Sequence, residues 1–465
     1  MSRAHSRVAA PLALALTATL LGMTSSPAAA VTPPRVDASA LIRSAPVAPP
    51  EPTEQSHLCN TATLTRNTAK PTAAQSMMNL EEAWRFSRGA GQRVAVIDTG
   101  VTPHPRLGRV TAGGDYVSGG TGLEDCDAHG TLVAGIIAAR PSSSDAFAGV
   151  APAASIIGIR QSSSAFKAKN NRRADDPAPS VGSGYGSVRT LAHAIVRAVD
   201  LRATVINISE VACASVADKV DDRALGAAIR YAYDRDVVVV AAAGNLARDG
   251  ACRTQNPASA TGDPEDWSSV TTIASPAWYA PYVLTVGSVD ADSGAPSGFS
   301  LHGPWVGVAA PGTDIVSLDN ARGSNRLVSA QRSEQGPLPL IGTSFAAPYV
   351  AGTAALVRAR FPELSAREVM DRIIATAHAS GTGHDRRIGH GVVDPVAALT
   401  AEIPAGQQTG PQSAPFAAPA PPTPPDHTAR NVAVAGAGIS IAVIAAVLAI
   451  ALPHRRVRKL DPDEF

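Results

Sequence analysis

The sequence predicts an α/β fold in which a mainly parallel β-sheet is flanked by helices. Short runs rich in Val and Ile alternate with longer amphipathic stretches, and the short runs are almost entirely apolar. Unbroken β-branched runs are typical of strands that are buried on both faces. Their alternation with helices indicates parallel pairing. The predicted strands cover residues 94–97, 156–159, 205–208, 237–242, 283–286 and 306–309.

The predicted helices lie between these strands and after the last of them. Ser365 and Glu368 have the spacing of a capping box, which marks the start of a helix at residue 366. In parallel α/β sheets, ligands bind beyond the carboxyl ends of the strands, so we expect functional residues directly after each strand. The helices are predicted over residues 130–139, 188–201, 222–235, 344–360 and 366–377.

The N-terminus predicts export through a signal peptide that covers residues 1–30. Arg3 and Arg7 give the start a positive charge, an apolar run follows over residues 8–22, and small residues end at Ala30. This order is typical of a cleavable signal peptide. An uncleaved N-terminal anchor is the alternative, but the apolar run is short for a bilayer span, which favours removal.

The C-terminus predicts a single transmembrane helix over residues 432–452. This stretch carries no charge and is long enough to cross the ~30 Å hydrocarbon layer, whereas a buried core helix of this kind is unusual. Basic residues cluster in the tail, residues 453–465, which indicates that the tail lies on the cytoplasmic side of the membrane. Proline-rich residues 401–431 predict an extended linker. We therefore expect a single-pass protein of the cell membrane whose body is extracytoplasmic.

The four cysteines predict two disulfides, because an exported body favours oxidised cysteines and the sequence has no C-x-x-C spacing. Three pairings are possible. Cys213 and Cys252 each follow a predicted strand, at residues 205–208 and 237–242. If these strands are parallel neighbours, both cysteines lie in loops at the same sheet edge. This favours Cys213–Cys252 and leaves Cys59 to pair with Cys126.

Composition and motifs argue against two classes of partner. The chain has 465 residues and a formal net charge of +1, whereas a nucleic-acid partner usually requires a strongly basic face. No D-x-D-x-D-G run typical of calcium loops is present. Asp125 and Asp127 flank Cys126, where we expect them to supply polarity beside His129. We predict no bound metal and no required cofactor.

Four polar residues occupy positions at which α/β folds carry catalytic and binding residues. Asp98 directly follows the strand 94–97, Asn245 follows the strand 237–242, and His129 and Ser344 each open a predicted helix. A serine hydroxyl becomes nucleophilic when a histidine accepts its proton, and a carboxylate orients that histidine. Each residue alone also fits a cap, a turn or a structural role. Their ordered occurrence is much more specific.

In these motifs the chain resembles the subtilisin-like serine proteases, or subtilases, over residues 77–400. The resemblance implies a subtilisin-like fold and a catalytic triad of Asp98, His129 and Ser344. It also implies an oxyanion hole formed by Asn245 and the backbone N–H of Ser344. The strings at residues 98–100 and 292–294 suggest an aspartic protease instead, but that all-β class conflicts with the alternation of strands and helices.

The order of segments resembles the mycosins, the membrane-anchored subtilases of actinobacterial type VII secretion systems. This resemblance implies an endopeptidase that cleaves secreted protein substrates and supports the membrane components of the secretion complex. A structural scaffold with secondary or cryptic proteolysis is the alternative. Residues 31–76 are interpreted as an extension that wraps the body, because a Cys59–Cys126 bond would prevent its release as a propeptide.

Three stretches depart from a simple subtilase pattern. Residues 160–187 are polar and have no periodicity, which predicts a surface loop or, more specifically, a cleavable regulatory or docking loop. Residues 320–340 have a similar character. Glu210-Val211-Ala212 stands where many subtilases carry the glycines of a substrate-binding strand, so the sequence leaves the pocket and the residue preference undefined.

Overall fold

The computed structural model describes residues 31–170, 180–181, 184–218, 220–247, 252–259, 262–333, 336–378, 383–403 and 428–454. The predicted signal peptide, most of the proline-rich linker and the basic tail lie outside these residues, as do residues 171–179 of the polar insertion. The chain divides into two compact units, Met1–Gly410 and Pro411–Phe465, which are described separately.

Helices separate groups of strands up to residue 242, as the sequence predicts, whereas the described elements from residue 243 to residue 339 are all strands. The strands are β1 (Thr53–Gln55), β2 (Ala62–Thr63), β3 (Arg93–Asp98), β4 (Val110–Asp115), β5 (Ser155–Arg160), β6 (Phe166–Ala168), β7 (Val205–Ile208), β8 (Ala212–Ser215), β9 (Val238–Ala242), β10 (Thr272–Ser275), β11 (Leu284–Val289), β12 (Val306–Pro311), β13 (Ser317–Leu318), β14 (Leu327–Val328), β15 (Ala330–Ser333) and β16 (Gly336–Pro339). The helices are α1 (Ala73–Met77), α2 (Leu80–Ala83), α3 (His129–Ala138), α4 (Val188–Asp200), α5 (Arg223–Tyr233), α6 (Thr343–Arg360), α7 (Ala366–Ala375), α8 (Pro395–Thr400) and α9 (Thr428–His454).

A seven-stranded sheet in the order β12-β11-β9-β7-β3-β5-β4 forms the centre of the body. All six pairings in it are parallel, which confirms the predicted fold class. The six predicted strands are all present. The sequence did not predict the edge strand β4, because Gly113 and Gly114 interrupt its apolar pattern.

Both faces of the central sheet are buried under helices. Val94 and Val96 of β3 belong to the core beneath α3, α6, α7 and α8, whereas Ala95 and Ile97 belong to the core beneath α4 and α5. Successive side chains of a strand point to opposite faces, so two buried faces require an unbroken apolar run. This explains why the strands show no alternation of apolar and polar residues.

Local sequence signals determine where several helices begin. The predicted capping box is present at α7, where Ser365 accepts the backbone N–H of Glu368 and the Glu368 side chain accepts the N–H of Ser365. Ser187 and Thr190 form a second capping box at the start of α4. Each box satisfies backbone donors that the first turn of a helix leaves without a partner.

Both predicted disulfides are present, Cys59–Cys126 and Cys213–Cys252. Strands β7 and β9 are parallel neighbours, as the argument for the second pair assumed. One detail of that argument was wrong. Cys213 lies in the short strand β8, which pairs antiparallel with β10, and not in a loop.

The two polar stretches, residues 160–187 and 320–340, contain short strands that pair with the N-terminal extension, so the expectation that residues 160–187 hold no regular element was wrong. Strand β6 pairs antiparallel with β1, and β15 pairs antiparallel with β2. These strands have no apolar period of their own. Their strand conformation depends on backbone hydrogen bonds to a strand that is distant in the sequence. A local sequence pattern does not predict such bonds.

The C-terminal unit contains the helix α9. Its segment Ala433–Ile450 has a mean hydropathy of 2.5 over 18 residues. Among the helices that the structure describes, it is the one long and apolar enough to cross a membrane. The predicted span, residues 432–452, lies within α9.

Candidate active site

The carboxyl end of β3 brings two of the predicted site residues together. Asp98 ends the strand and is fully buried, and His129 is the first residue of α3. Their side chains are joined by a hydrogen bond of 2.7 Å between His129 Nδ1 and Asp98 Oδ1. An ionised carboxylate can only accept, so Nδ1 carries the proton. The other ring nitrogen, Nε2, therefore remains available as a base.

A buried carboxyl group, Asp125, holds the first turn of α3 in place. Its oxygens accept the backbone N–H of Thr131 at 2.8 Å, the hydroxyl of Thr131 at 2.6 Å and the hydroxyl of Thr99 at 2.8 Å. Thr99 Oγ1 in turn accepts the N–H of Gly130 at 2.9 Å. This network connects the end of β3 to the start of α3 and so positions His129 relative to Asp98.

The sequence indicated only local polarity for the two acids that flank Cys126, and the structure shows more specific contacts. Burial raises the pKa of Asp125 to about 7, against the opposing hydrogen bonds from Thr131 and Thr99. Asp127 accepts the backbone N–H of Ser164 at 2.8 Å and the Ser163 hydroxyl. Asp127 therefore connects the segment before His129 to the segment that follows β5.

Ser344 lies in the first turn of α6, beside Asn245. The Asn245 side-chain oxygen accepts the Thr343 backbone N–H at 2.9 Å and its hydroxyl at 3.0 Å. This orientation leaves the Asn245 Nδ2 group as a donor on the other side of the amide. A Cβ atom at Gly342 would lie 3.0 Å from Ser344 Oγ and 3.2 Å from Asn245 Nδ2, so both groups converge at this glycine.

The helices that carry His129 and Ser344 also meet at the site. The ring of Phe345, the residue after Ser344, lies 5.2 Å from the ring of His129 between centroids. The Ser209 hydroxyl, just beyond β7, donates to the carbonyl oxygen of Ser344 at 2.8 Å. The four residues singled out in the sequence, Asp98, His129, Asn245 and Ser344, therefore belong to one site at the carboxyl edge of the sheet.

The acidic surroundings of His129 make it an unusually strong base. Burial acts to lower its pKa, but the charge of Asp98, the hydrogen bond to Asp98 and the charges of Glu210 and Asp125 together raise the pKa to about 9. Since only the neutral imidazole accepts a proton, the fraction of His129 that can act as a base grows as the pH rises towards this value.

Glu210 is a member of the site that the sequence did not identify as functional. Ligand atoms of Glu210, His129 and Asp98 lie within 4.8 Å of one another. Among described residues this spacing could suit a cation, but two of the three side chains already share the hydrogen bond of 2.7 Å, so we do not interpret them as metal ligands. The signal available in the sequence was the acid at the position where many subtilases carry glycine.

Comparison with known proteins agrees with this fold and this site. The sequence profile of the subtilase family, Peptidase S8, matches residues 89–391. A parallel α/β sheet with a histidine–aspartate pair beside a serine at a helix start is the arrangement of a serine peptidase. The chain therefore belongs to the subtilase family of serine peptidases, and within that family it groups with the mycosins.

Its similarity to individual mycosins extends over nearly the whole chain. It is 48% identical over 462 residues to Mycosin-4 of Mycobacterium tuberculosis, and the alignment covers 97% of each protein. The crystal structure of MycP1 from the ESX-1 type VII secretion system is 47% identical, with a TM-score of 0.75, and covers 82% of this chain and 100% of that one. A chain in the intact ESX-5 inner membrane complex is 43% identical, with a TM-score of 0.75, covering 91% of this chain and 100% of that one.

Proposed function

We propose that this protein is a membrane-anchored serine endopeptidase that cleaves secreted proteins on the extracytoplasmic side and supports a type VII secretion complex. The observation that carries the proposal is the hydrogen-bonded pair of His129 and Asp98 in one site with Ser344 and Asn245. Acyl transfer from a peptide bond requires a base, a nucleophile and an amide donor that are held in position.

In the proposed reaction, Ser344 Oγ attacks the carbonyl carbon of the substrate peptide bond while His129 Nε2 accepts its proton. Asp98 stabilises the resulting imidazolium through Nδ1. The negative oxygen of the tetrahedral intermediate accepts the Asn245 side-chain N–H and the Ser344 backbone N–H, which lies at the N-terminus of α6. His129 then protonates the leaving amine, and water hydrolyses the acyl-enzyme by the same steps.

The proposed link to secretion rests on the homologues and on α9. A similar chain is part of the ESX-5 inner membrane complex, and that similarity covers 91% of this protein. Helix α9 supplies the apolar span needed for a single-pass anchor, and the basic residues 455–459 would face the cytoplasm. On this basis we assign the protein to the cell membrane and expect components of the secretion complex as its partners.

We also propose that residues 31–76 stay with the mature body. The supporting contacts are the Cys59–Cys126 bond and the pairing of β1 and β2 with β6 and β15. A cut between Cys59 and residue 76 would leave the N-terminal piece attached through the disulfide. Mass spectrometry of the mature protein without reductant tests this proposal, and a chain that begins beyond Cys59 would contradict it.

The function is tested with Ser344→Ala in full-length protein, compared with wild type and with Ser76→Ala, which removes an exposed hydroxyl in α1. We expect Ser344→Ala to abolish cleavage of fluorogenic peptides and secreted proteins, and Ser76→Ala to leave it unchanged. Cleavage that survives Ser344→Ala would refute the proposed peptidase.

The same variants separate proteolysis from the scaffold role that the ESX-5 structure suggests. Secretion is measured by proteomics of the culture medium, and complex formation by co-purification through the C-terminal tail. If secretion continues in Ser344→Ala cells, the supporting role is structural. If secretion stops while the complex remains intact, secretion requires proteolysis. If the wild-type protein does not co-purify with components of the secretion complex, the proposed partners are refuted.

A further inference from the structure

Glu210 follows the end of β7 by two residues and is only partly exposed. Its carboxylate lies with the His129 ring and the Asp98 carboxylate in a group whose ligand atoms are all within 4.8 Å. The Ser162 hydroxyl, after β5, donates to Glu210 Oε2. The hydrogen bond from Ser162 thus holds Glu210 beside the histidine and aspartate of the site.

The charged groups around Glu210 are mostly acidic. Asp98 at the end of β3 and Asp127 before α3 both disfavour its ionised form, and His129 is the neighbour that can compensate it with a positive charge. Asp98 Oδ2 is also buried without a hydrogen-bond partner among the described residues. This part of the site therefore contains several carboxyl groups close together, and not every carboxylate oxygen has a hydrogen-bond donor. A proton on His129 adds a positive charge that offsets their negative charge.

We propose that Glu210 is a positioning residue that controls the proton on His129, so that its ionisation holds the imidazole in the cationic form and moves the onset of hydrolysis to higher pH. This inference rests on the proposed peptidase function. An imidazolium cannot accept the Ser344 proton, and a carboxylate within 4.8 Å in a partly buried site stabilises that imidazolium.

The titration of the two groups is consistent with this role. Burial and then the charge of Asp98 raise the pKa of Glu210 to about 8, in spite of the opposing influence of His129 and Ser162. Glu210 and His129 therefore titrate in overlapping pH ranges. Two interacting groups that titrate so close together release their protons in a broad, shared transition.

The first test compares the pH dependence of kcat/KM in full-length wild type, Glu210→Gln and Glu363→Gln, using a neutral fluorogenic peptide. Glutamine keeps the size of Glu210 and removes its charge, whereas Glu363 is an exposed acid on the loop between α6 and α7. We expect Glu210→Gln to steepen the acid limb and lower its midpoint by about 0.5–1 pH unit, with a similar plateau above it. Glu363→Gln should match wild type. Identical midpoints and slopes in all three proteins would overturn the proposal.

A second test needs no turnover and so separates this inference from the proposed function. The His129 imidazole is titrated by NMR in isotope-labelled full-length Ser344→Ala protein, with and without Glu210→Gln. We expect the His129 midpoint to fall in the double variant, and the Glu210 carboxyl signal in the single variant to titrate over the same range as His129. If the His129 midpoint is the same with and without Glu210→Gln, the proposal is refuted, even if Ser344→Ala has confirmed the peptidase. The Glu210 signal also provides a test without the substitution if Glu210→Gln fails to fold.

Discussion

The Cys59–Cys126 bond should contribute strongly to the stability of the body, and replacing both cysteines by alanine tests this directly. The bond closes a loop with a sequence separation of 67 residues. The loss of chain entropy that such a loop imposes on the unfolded state corresponds to about 4 kcal/mol at 25 °C. Because the bond also holds Asn60, whose N–H donates to the Cys126 carbonyl at 2.7 Å, the extension should loosen locally as well.

The assay is guanidinium denaturation of full-length protein, with the double substitution Cys213→Ala/Cys252→Ala as the matched control. That bond closes a shorter loop, with a separation of 39 residues, so its loss should cost about 0.5 kcal/mol less. Limited proteolysis should cut the chain near residue 59 only in the Cys59→Ala/Cys126→Ala protein. A loss of less than about 1 kcal/mol in that protein would refute the entropic argument.

Three further predictions concern the chemistry of the site. Because the pKa of His129 is raised to about 9, the wild-type kcat/KM should rise as the pH increases from 6 towards 9, and a profile that is flat over this range would contradict the environment described for His129. Asn245→Ala should lower kcat by about 100- to 1,000-fold with little change in KM, the magnitude known for an oxyanion donor of another subtilase, and an unchanged kcat would exclude Asn245 from the oxyanion hole. Gly342→Ala places a Cβ 3.0 Å from Ser344 Oγ at a backbone φ of +153°, so peptide cleavage should fall at least tenfold while circular dichroism stays unchanged, and full activity would show that the backbone tolerates this side chain.

The central sheet could be predicted because its strands carry their own signal. β3, β5, β7 and β9 are buried on both faces, so each contains a mostly apolar run, interrupted in β7 by Asn207, that is visible without its neighbours. β4 lies at the sheet edge and contains Gly113 and Gly114, and its strand conformation depends on pairing with β5. Strands β6 and β15 are polar and depend on pairing with the extension.

The site was predictable to the same extent. Asp98, His129, Asn245 and Ser344 stand at strand ends or helix starts within recognisable strings, and the structure brings them into one site. Their catalytic roles remain proposals. The contacts of Asp125 and Glu210 could not be derived, because an isolated acid in a loop gives no indication of which distant side chains surround it. Both lie beside His129 only because β3, β7 and α3 converge there.

The pairing of β2 with β15 joins the N-terminal extension to a part of the chain that is synthesised much later. Thr65 donates its backbone N–H to the Ser329 hydroxyl at 3.0 Å, across a sequence separation of 264 residues. Closing so long a loop costs chain entropy before the contact can stabilise the fold, so we expect these contacts to form late. A chain that emerges from its N-terminus would therefore hold an unpaired extension until residues near 330 have followed. The β2–β15 contacts should consequently be among the last to gain protection from hydrogen exchange during refolding.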